Sequence, residues 1–417
     1  MKRSRMVAIG VAGAAALALA PVANGATVRL WLNGTDTPDA VVQTAIAQFK
    51  QQHPNDDVQL ERQQWTGLVE KLTTALSSSD SPDVIELGNT QAQTFEAAGA
   101  LEDLSAQRTV LGGNDFLRSL ADAGTYNRKF YGVPYYAGAR IVLYRKDLLR
   151  KAGVPVPKTL NQFIQAGIKL KQANAQTPGF SGIYFPGKYW YAALPFIWSG
   201  GGDIAVQKGD GQWVGTLSSA GSQRGLRQVK TIFDRANGAP KDGDEAKDYI
   251  AFCKNQVAML PAPGWKVGQI LNTKDGCPAM KSKIGVFALP GAKSGTTAPV
   301  FLGGSNIAIP AKSQNKPLAI DLVKILAGVD YQKTFAGAGV IPARKAALTA
   351  VGGDAVAKTQ AKAALNSRFV PTSENWAGIE AAQVLPDMLV TIAKGGDVKA
   401  AARKADAAIA SKLNGSS

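Results

Sequence analysis

The sequence predicts an α/β protein of two domains, and three observations carry that prediction. At 417 residues the chain is too long to be served by one ordinary hydrophobic core. Between residues 27 and 97, runs with strand periodicity alternate with runs of helical periodicity, the pattern of a parallel sheet covered by helices on both faces. Far downstream, residues 301–344 return to the same style. An apolar run broken by Gly303-Gly304 leads to a second apolar run from Asn306. Then come a lysine-rich loop, a helix with Leu318, Leu322, Ile325 and Leu326 on one face, and a closing Val340-Ile341-Pro342-Ala343-Arg344. A glycine pair inside a strand marks a bend or a place where something approaches the backbone closely.

Composition is that of a globular chain, with 45% hydrophobic and 19% charged residues. The N-terminus reads as a signal peptide over residues 1–25. A basic Met1-Lys2-Arg3-Ser4-Arg5 precedes an apolar run over 7–20, and Ala23-Asn24-Gly25 suits cleavage before Ala26. That run is too short for an ordinary spanning helix. With no cysteine beside the cleavage site, a lipid anchor has no attachment point, so a soluble, periplasmic protein is expected. Without the three leader cations the chain holds 44 Lys and Arg against 31 Asp and Glu, an excess of +13. These cations are scattered singly, whereas a nucleic-acid footprint would be clustered, so no nucleic-acid partner is expected. Cys253 and Cys277 are the only cysteines. An oxidising compartment favours a structural disulfide between them over two free thiols.

Taken in order, residues 27–32 alternate as a strand, and Val42, Ile46 and Phe49 mark the first helix, stopped at His53-Pro54. Residues 58–63 form a second strand, Leu68, Leu72 and Leu76 a second helix stripe, and Pro82-Asp83-Val84 opens a third strand. Ligands of such sheets gather at the carboxyl ends of the strands. That rule selects three loops and, within them, Asn33, Asp36, Gln64, Trp65 and Asn89. Residues 184–198 are dense in aromatics, whose faces can stack on sugar rings. Tyr189, Trp190 and Tyr191 are consecutive and cannot all face one core, which makes Tyr189 and Trp190 candidates. Trp265 follows Pro263-Gly264, placing it on a loop or helix start.

The order of motifs resembles the family 1 extracellular solute-binding proteins, the sugar-binding components of ABC importers. The residues that carry the resemblance run through nearly the whole mature chain. They include Trp31, Phe49 to Pro54, Pro82-Asp83-Val84, GALEDLS at 99–105, KFYGVPYY at 129–136, RIVLYRKDLLRKAGV at 140–154 and KTLNQF at 158–163. QVAML at 256–260 with Trp265, FALPG at 287–291, and the GGSNIAIP and GVIPAR pieces of residues 303–344 complete it. Leu160 departs from the family pattern, which has Trp there; a core change is expected.

The resemblance implies a two-lobed periplasmic-binding-protein fold of type II, with a cleft between lobes joined by crossover strands. The expected division is 26–133 with 302–344 in the N-terminal lobe and 134–301 with 345–417 in the C-terminal lobe. The crossover segments add Tyr136, Gly303, Gly304 and Asn306 to the candidate ligand-binding residues, and the family's occasional extra cleft aromatic adds Trp376. Arg140 and Arg344 are candidates as the cations an anionic ligand, or the ring hydroxyls of a neutral sugar, would need. The resemblance also implies a saccharide ligand, ABC permease subunits as partners, and a monomer with no cofactor.

Enzyme chemistry finds little purchase. The one histidine, His53, leaves no Ser-His-Asp set, and no HExxH, CxxC or His/Cys cluster offers a metal site. GIYFPGK at 182–188 fits a phosphate-loop spacing, but Tyr189 stands where Ser or Thr must hold the metal. Two alternatives remain open at this stage. One is a secreted glycoside hydrolase using paired carboxylates. The other is the same fold binding an anionic ligand such as glycerol phosphate, in line with the basic charge.

Overall fold

The computed structural model describes residues 25–34, 36–65, 67–246, 248–337 and 340–415; residues 1–24 of the expected leader lie outside the described residues. The strand Thr27–Asn33 pairs in parallel with Asp57–Gln63 on one side and Val84–Gly88 on the other. Helices Asp39–Gln52, Leu68–Ser77 and Ala92–Ala97 connect and cover them. The apolar stripes seat them. Val41, Val42, Ala45 and Phe49 are buried on the first helix, and Leu68, Leu72 and Leu76 on the second. Ile46 is only half-buried.

Two long strands join this sheet to the rest of the chain. Val300–Ala308 runs antiparallel to Val84–Gly88, and Val133–Arg145 runs antiparallel to Val300–Ala308. Along Val133–Arg145 the partner changes. Residues 133–139 pair with the Val300–Ala308 strand, while Arg140 to Tyr144 pair antiparallel with Val257–Pro263. The same strand also takes Ile284–Phe287, across from Val257–Pro263, and the short Ile341–Pro342, across from Val300–Ala308. Ser181–Ile183 adds in parallel to Val257–Pro263.

Both sheets are therefore mixed, where strand–helix alternation predicts parallel ones: in the first, Val300–Ala308 runs against Val84–Gly88, and in the second, Val133–Arg145 runs against Val257–Pro263. The crossover strand enters from the first sheet already running against its new neighbours, and in the second sheet only the Ser181–Ile183 pairing keeps the parallel sense. Its core is helical in character: Leu160–Ala173, Trp190–Ser199, Ala220–Arg235, Val384–Ala393 and Val398–Leu413 pack around Phe163, Phe185, Phe196 and Trp376. Leu160, at the family's Trp position, is buried in it.

Cys253, at the end of helix Asp248–Cys253, forms a disulfide with Cys277, with Cα atoms 5.6 Å apart. The bridge spans 24 residues of sequence and encloses the Val257–Pro263 strand and the turn after it. Closing a loop of this size in the unfolded chain restricts it by about 3 kcal/mol. The double variant Cys253→Ser, Cys277→Ser is expected to lose stability of about that size in urea unfolding. An unchanged midpoint would show that the bridge contributes nothing.

A candidate ligand-binding cleft

Where the partner of the first crossover strand changes, the two sheets part around a cleft of about 880 Å³. That volume suits a small-molecule ligand. Its floor is the crossover backbone itself, Ala137, Gly138, Gly303 and Gly304, where missing side chains leave room. Gly304 has no substitute: its φ is +142°, and a Cβ there would lie 2.1 Å from the Tyr136 carbonyl oxygen.

One wall comes from the first sheet's carboxyl-end loops. The Asp36 carboxylate accepts from Trp65 Nε1 at 2.7 Å and from the Tyr136 hydroxyl at 3.0 Å, so one acidic group orients both rings at the cleft. Asn89, Thr90 and Gln91 follow the third strand onto the same wall. Asn89 spends its amide nitrogen on the Leu302 carbonyl at 3.0 Å, tying that loop to the second crossover strand.

The opposite wall carries Arg140, Tyr191, Glu245, Trp265 and Phe301, with Asp354 and Gln360 at its margin. Arg140 is 9% exposed, and its Nη2 donates to Glu245 Oε2 at 2.5 Å. The guanidinium lies 5.0 Å from the Tyr189 ring and 5.3 Å from the Tyr191 ring, while its buried Nη1 has no protein partner. Such a donor is costly to bury unless something accepts from it. Tyr191 stacks between Trp190 at 3.7 Å and Phe301 at 4.5 Å. Trp265 begins the helix Lys266–Ile270 and is 58% exposed, a large indole held out at the cleft.

Of the residues selected from sequence, Asp36, Trp65, Asn89, Tyr136, Arg140, Trp265, Gly303 and Gly304 line this one cleft. Seven others do not, each for a local reason. Asn33 is buried and bonds Glu86 through both its backbone and its side chain. Gln64 is exposed beside the cleft, since the chain turns Trp65 into it instead. Tyr189 is core, its hydroxyl donating to the Pro261 carbonyl, and it supports Arg140 from behind. Trp190 backs Tyr191 without lining the cleft.

Asn306 is fully buried and bridges the Leu120 and Gly132 carbonyls. Arg344 is held by Asp115 at 2.7 Å and by the carbonyls of Leu111 and Ala327. Trp376 is buried, its Nε1 donating to Glu380 at 2.9 Å. Sequence reasoning passed over Tyr191, Glu245, Phe301 and Gln360. Tyr191 belonged to the aromatic trio already singled out, but Glu245 and Gln360 reach the cleft from distant segments and carry no local signal.

Two lobes sharing crossover strands around a cleft lined with aromatics and buried polar groups define a ligand receptor. Residues 33–333 match the profile of the bacterial extracellular solute-binding proteins, and the chain belongs to that family. It is similar to the diacetylchitobiose binding protein DasA of Streptomyces coelicolor, with 31% identity over 398 residues and 91% of each chain covered. The multiple sugar-binding protein of Streptococcus mutans is 26% identical over 311 residues, 71% of this chain and 70% of that one. The solved structure of the sugar-binding protein MalE from Xanthomonas citri superposes with a TM-score of 0.81 at 25% identity, covering 93% of this chain and 97% of that one. The fold is thus the two-lobed α/β fold of substrate-binding proteins. The chain is a binding protein rather than an enzyme, and it works outside the cytoplasm. Among the described residues no helix is long and apolar enough to cross a membrane.

Two carboxyls near the first wall are poised by burial. Glu86, beneath Asn33, is pushed up to about 7 by loss of solvent, a shift that the Asn33 backbone N–H reduces. Glu96, on the helix Ala92–Ala97, is pushed up to about 8 by burial, and neither of its oxygens has a partner. In the unfolded chain both would ionise near 4.5. Above that pH the unfolded state has released protons that the folded state still holds, so stability falls as pH rises from about 4.5 toward 8. Glu96→Gln is expected to flatten this decline, raising the unfolding midpoint at pH 8 while leaving it nearly unchanged at pH 5. Equal shifts at both values would place the effect elsewhere.

Proposed function

We propose that this protein is the extracytoplasmic sugar receptor of an ABC importer, binding a neutral saccharide in the cleft and delivering it to the membrane permease. The observation that carries the reading is the pairing of apolar ring faces with buried polar edges across the two walls. Trp65 lines one wall and Trp265 and Tyr191 the other, with Arg140 between them held by Glu245. Aromatic faces suit the C–H faces of pyranose rings, and the polar groups on both walls suit their hydroxyls. The names of its relatives support a sugar, and diacetylchitobiose and maltose head the panel to be tried.

An anionic ligand is less well served. Arg140 is already matched by Glu245, and Lys266, beside Trp265, is matched by Asp248 at 2.8 Å. We take the lobes to be 26–133 with 302–344 and 134–301 with 345–417, swivelling about Gly138 and Gly303-Gly304 as the cleft closes. A soluble periplasmic monomer without nucleic-acid partners completes the reading.

Thermal unfolding and tryptophan fluorescence against mono-, di- and oligosaccharides and glycerol phosphate test it. A ligand at ~100 times its dissociation constant adds about 2.7 kcal/mol of stability, a visible shift. A shift with one saccharide class and no product formed supports the receptor. A response to glycerol phosphate alone, or sugar turnover, overturns it. Trp265→Ala is expected to weaken binding by more than ~1 kcal/mol through lost stacking; unchanged affinity would remove Trp265 from the site.

A further inference from the structure

We propose that Lys266 and Asp248 are positioning residues, a buried ion pair that presents Trp265 and the Arg140–Glu245 pair as one rigid recognition surface. The ligand in this inference rests on the sugar-receptor reading; the geometry does not. Lys266 directly follows Trp265 yet is 1% exposed, and its ammonium lies 2.8 Å from Asp248, whose side chain is fully buried. The same ammonium donates to the Glu245 carbonyl at 3.2 Å and sits 4.5 Å from the centre of the Trp265 ring.

From there the contacts close on themselves. The Glu245 carboxylate holds Arg140, whose guanidinium lies over the Tyr189 ring. The Tyr189 hydroxyl reaches Asp248 Oδ2 at 3.4 Å, which returns the circuit to Lys266. Neither Lys266 nor Asp248 is among the residues that line the cleft, so neither is placed to bind the ligand itself.

Why a charge pair should stand here follows from what Trp265 lacks. With 58% of its surface exposed, the indole is not fixed by core packing, and a loose platform loses affinity to the ordering it needs on binding. A cation held beneath one face orders the ring and leaves the other face free. Burying an ion pair brings little net stability compared with an apolar pair of like volume. Its use at this place is to link the indole and the Glu245 loop to one point. Burial holds the Asp248 carboxyl above its ordinary range, and the Lys266 ammonium works against that rise.

The test uses the full mature chain labelled with 5-fluorotryptophan, the Trp265 resonance being assigned by its loss in Trp265→Phe. Lys266→Met is expected to shift and broaden that resonance without any sugar. It should also weaken binding of whichever saccharide the wild type takes by about tenfold, as for contacting groups that act together. In a Trp265→Ala background the same change should cost less, and Lys266→Arg, which keeps the charge, should restore most of the affinity. Asp248→Asn, which alters the pair with little change of shape, is the second route if Lys266→Met does not fold. An unmoved resonance, or losses that simply multiply, would overturn the proposal. A wild type that binds no saccharide would sink the receptor reading, while the fluorine spectrum would still decide whether the pair orders Trp265.

Discussion

The antiparallel pairing of Val133–Arg145 with Val300–Ala308 is the contact on which the rest of the molecule depends. These strands complete the first sheet and, through residues 140–144, begin the second. Each sheet includes part of Val133–Arg145, residues 133–139 in the first and 140–145 in the second, with a partner strand on both sides. The register slips between Ser305 and Asn306, and Gly304 sits at a φ that only glycine adopts readily, with its backbone against Tyr136. The ladder thus bends where the sheets separate, and the floor of the cleft is bare backbone there. Asn306 ties the strand to the Leu120 and Gly132 carbonyls on one side of that bend, and Asn89 ties it to the first wall.

Around this floor the charges are arranged in matched pairs. Arg140 meets Glu245, Lys266 meets Asp248, and Asp36 is occupied by the Trp65 and Tyr136 donors. A chain with a strong overall excess of cations therefore does not offer an open cationic pocket. The basic surface and the cleft are separate matters, and the charge total says more about solubility and encounter than about the ligand.

How much of this is legible in the sequence depends on the range over which each feature is determined. The first sheet's strands and helices follow from periodicity, which needs only neighbouring residues, so the Leu68, Leu72 and Leu76 stripe reads correctly. Loops at strand ends are equally local, which is why Asp36, Trp65 and Asn89 could be selected. Orientation among consecutive aromatics is not local. Tyr191, not Tyr189 or Trp190, reaches the cleft because helix Trp190–Ser199 turns the Tyr189 side into the core of Phe185 and Phe196. Arg344 looked like a cation for the ligand and Trp376 like a site residue by family position, but Asp115 and Glu380 claim them, and those partners lie far off in sequence or carry no motif. Glu245 shows the reverse case, a cleft residue whose acidic loop reads as an ordinary solvated turn.

A few polar contacts outside the cleft tie residues 94–126 to residues 367–374 and bear on how closure can be controlled. Thr94 donates to the Glu374 carbonyl at 3.3 Å, the Tyr126 hydroxyl donates to the Glu374 carboxylate, and the Ser119 and Ser367 hydroxyls meet at 2.9 Å. The Thr94 and Tyr126 bonds are exposed, where water can replace the partner and a typical net contribution is about 1 kcal/mol or less, whereas Ser119 is buried. A population shifts only by the difference in affinity between states, so a ligand favours the closed form by whatever it buries on both walls at once. On the sugar-receptor reading we propose, closure is governed by what lies between Trp65 and Trp265, with the polar contacts at the margin fixing the geometry in which the lobes meet.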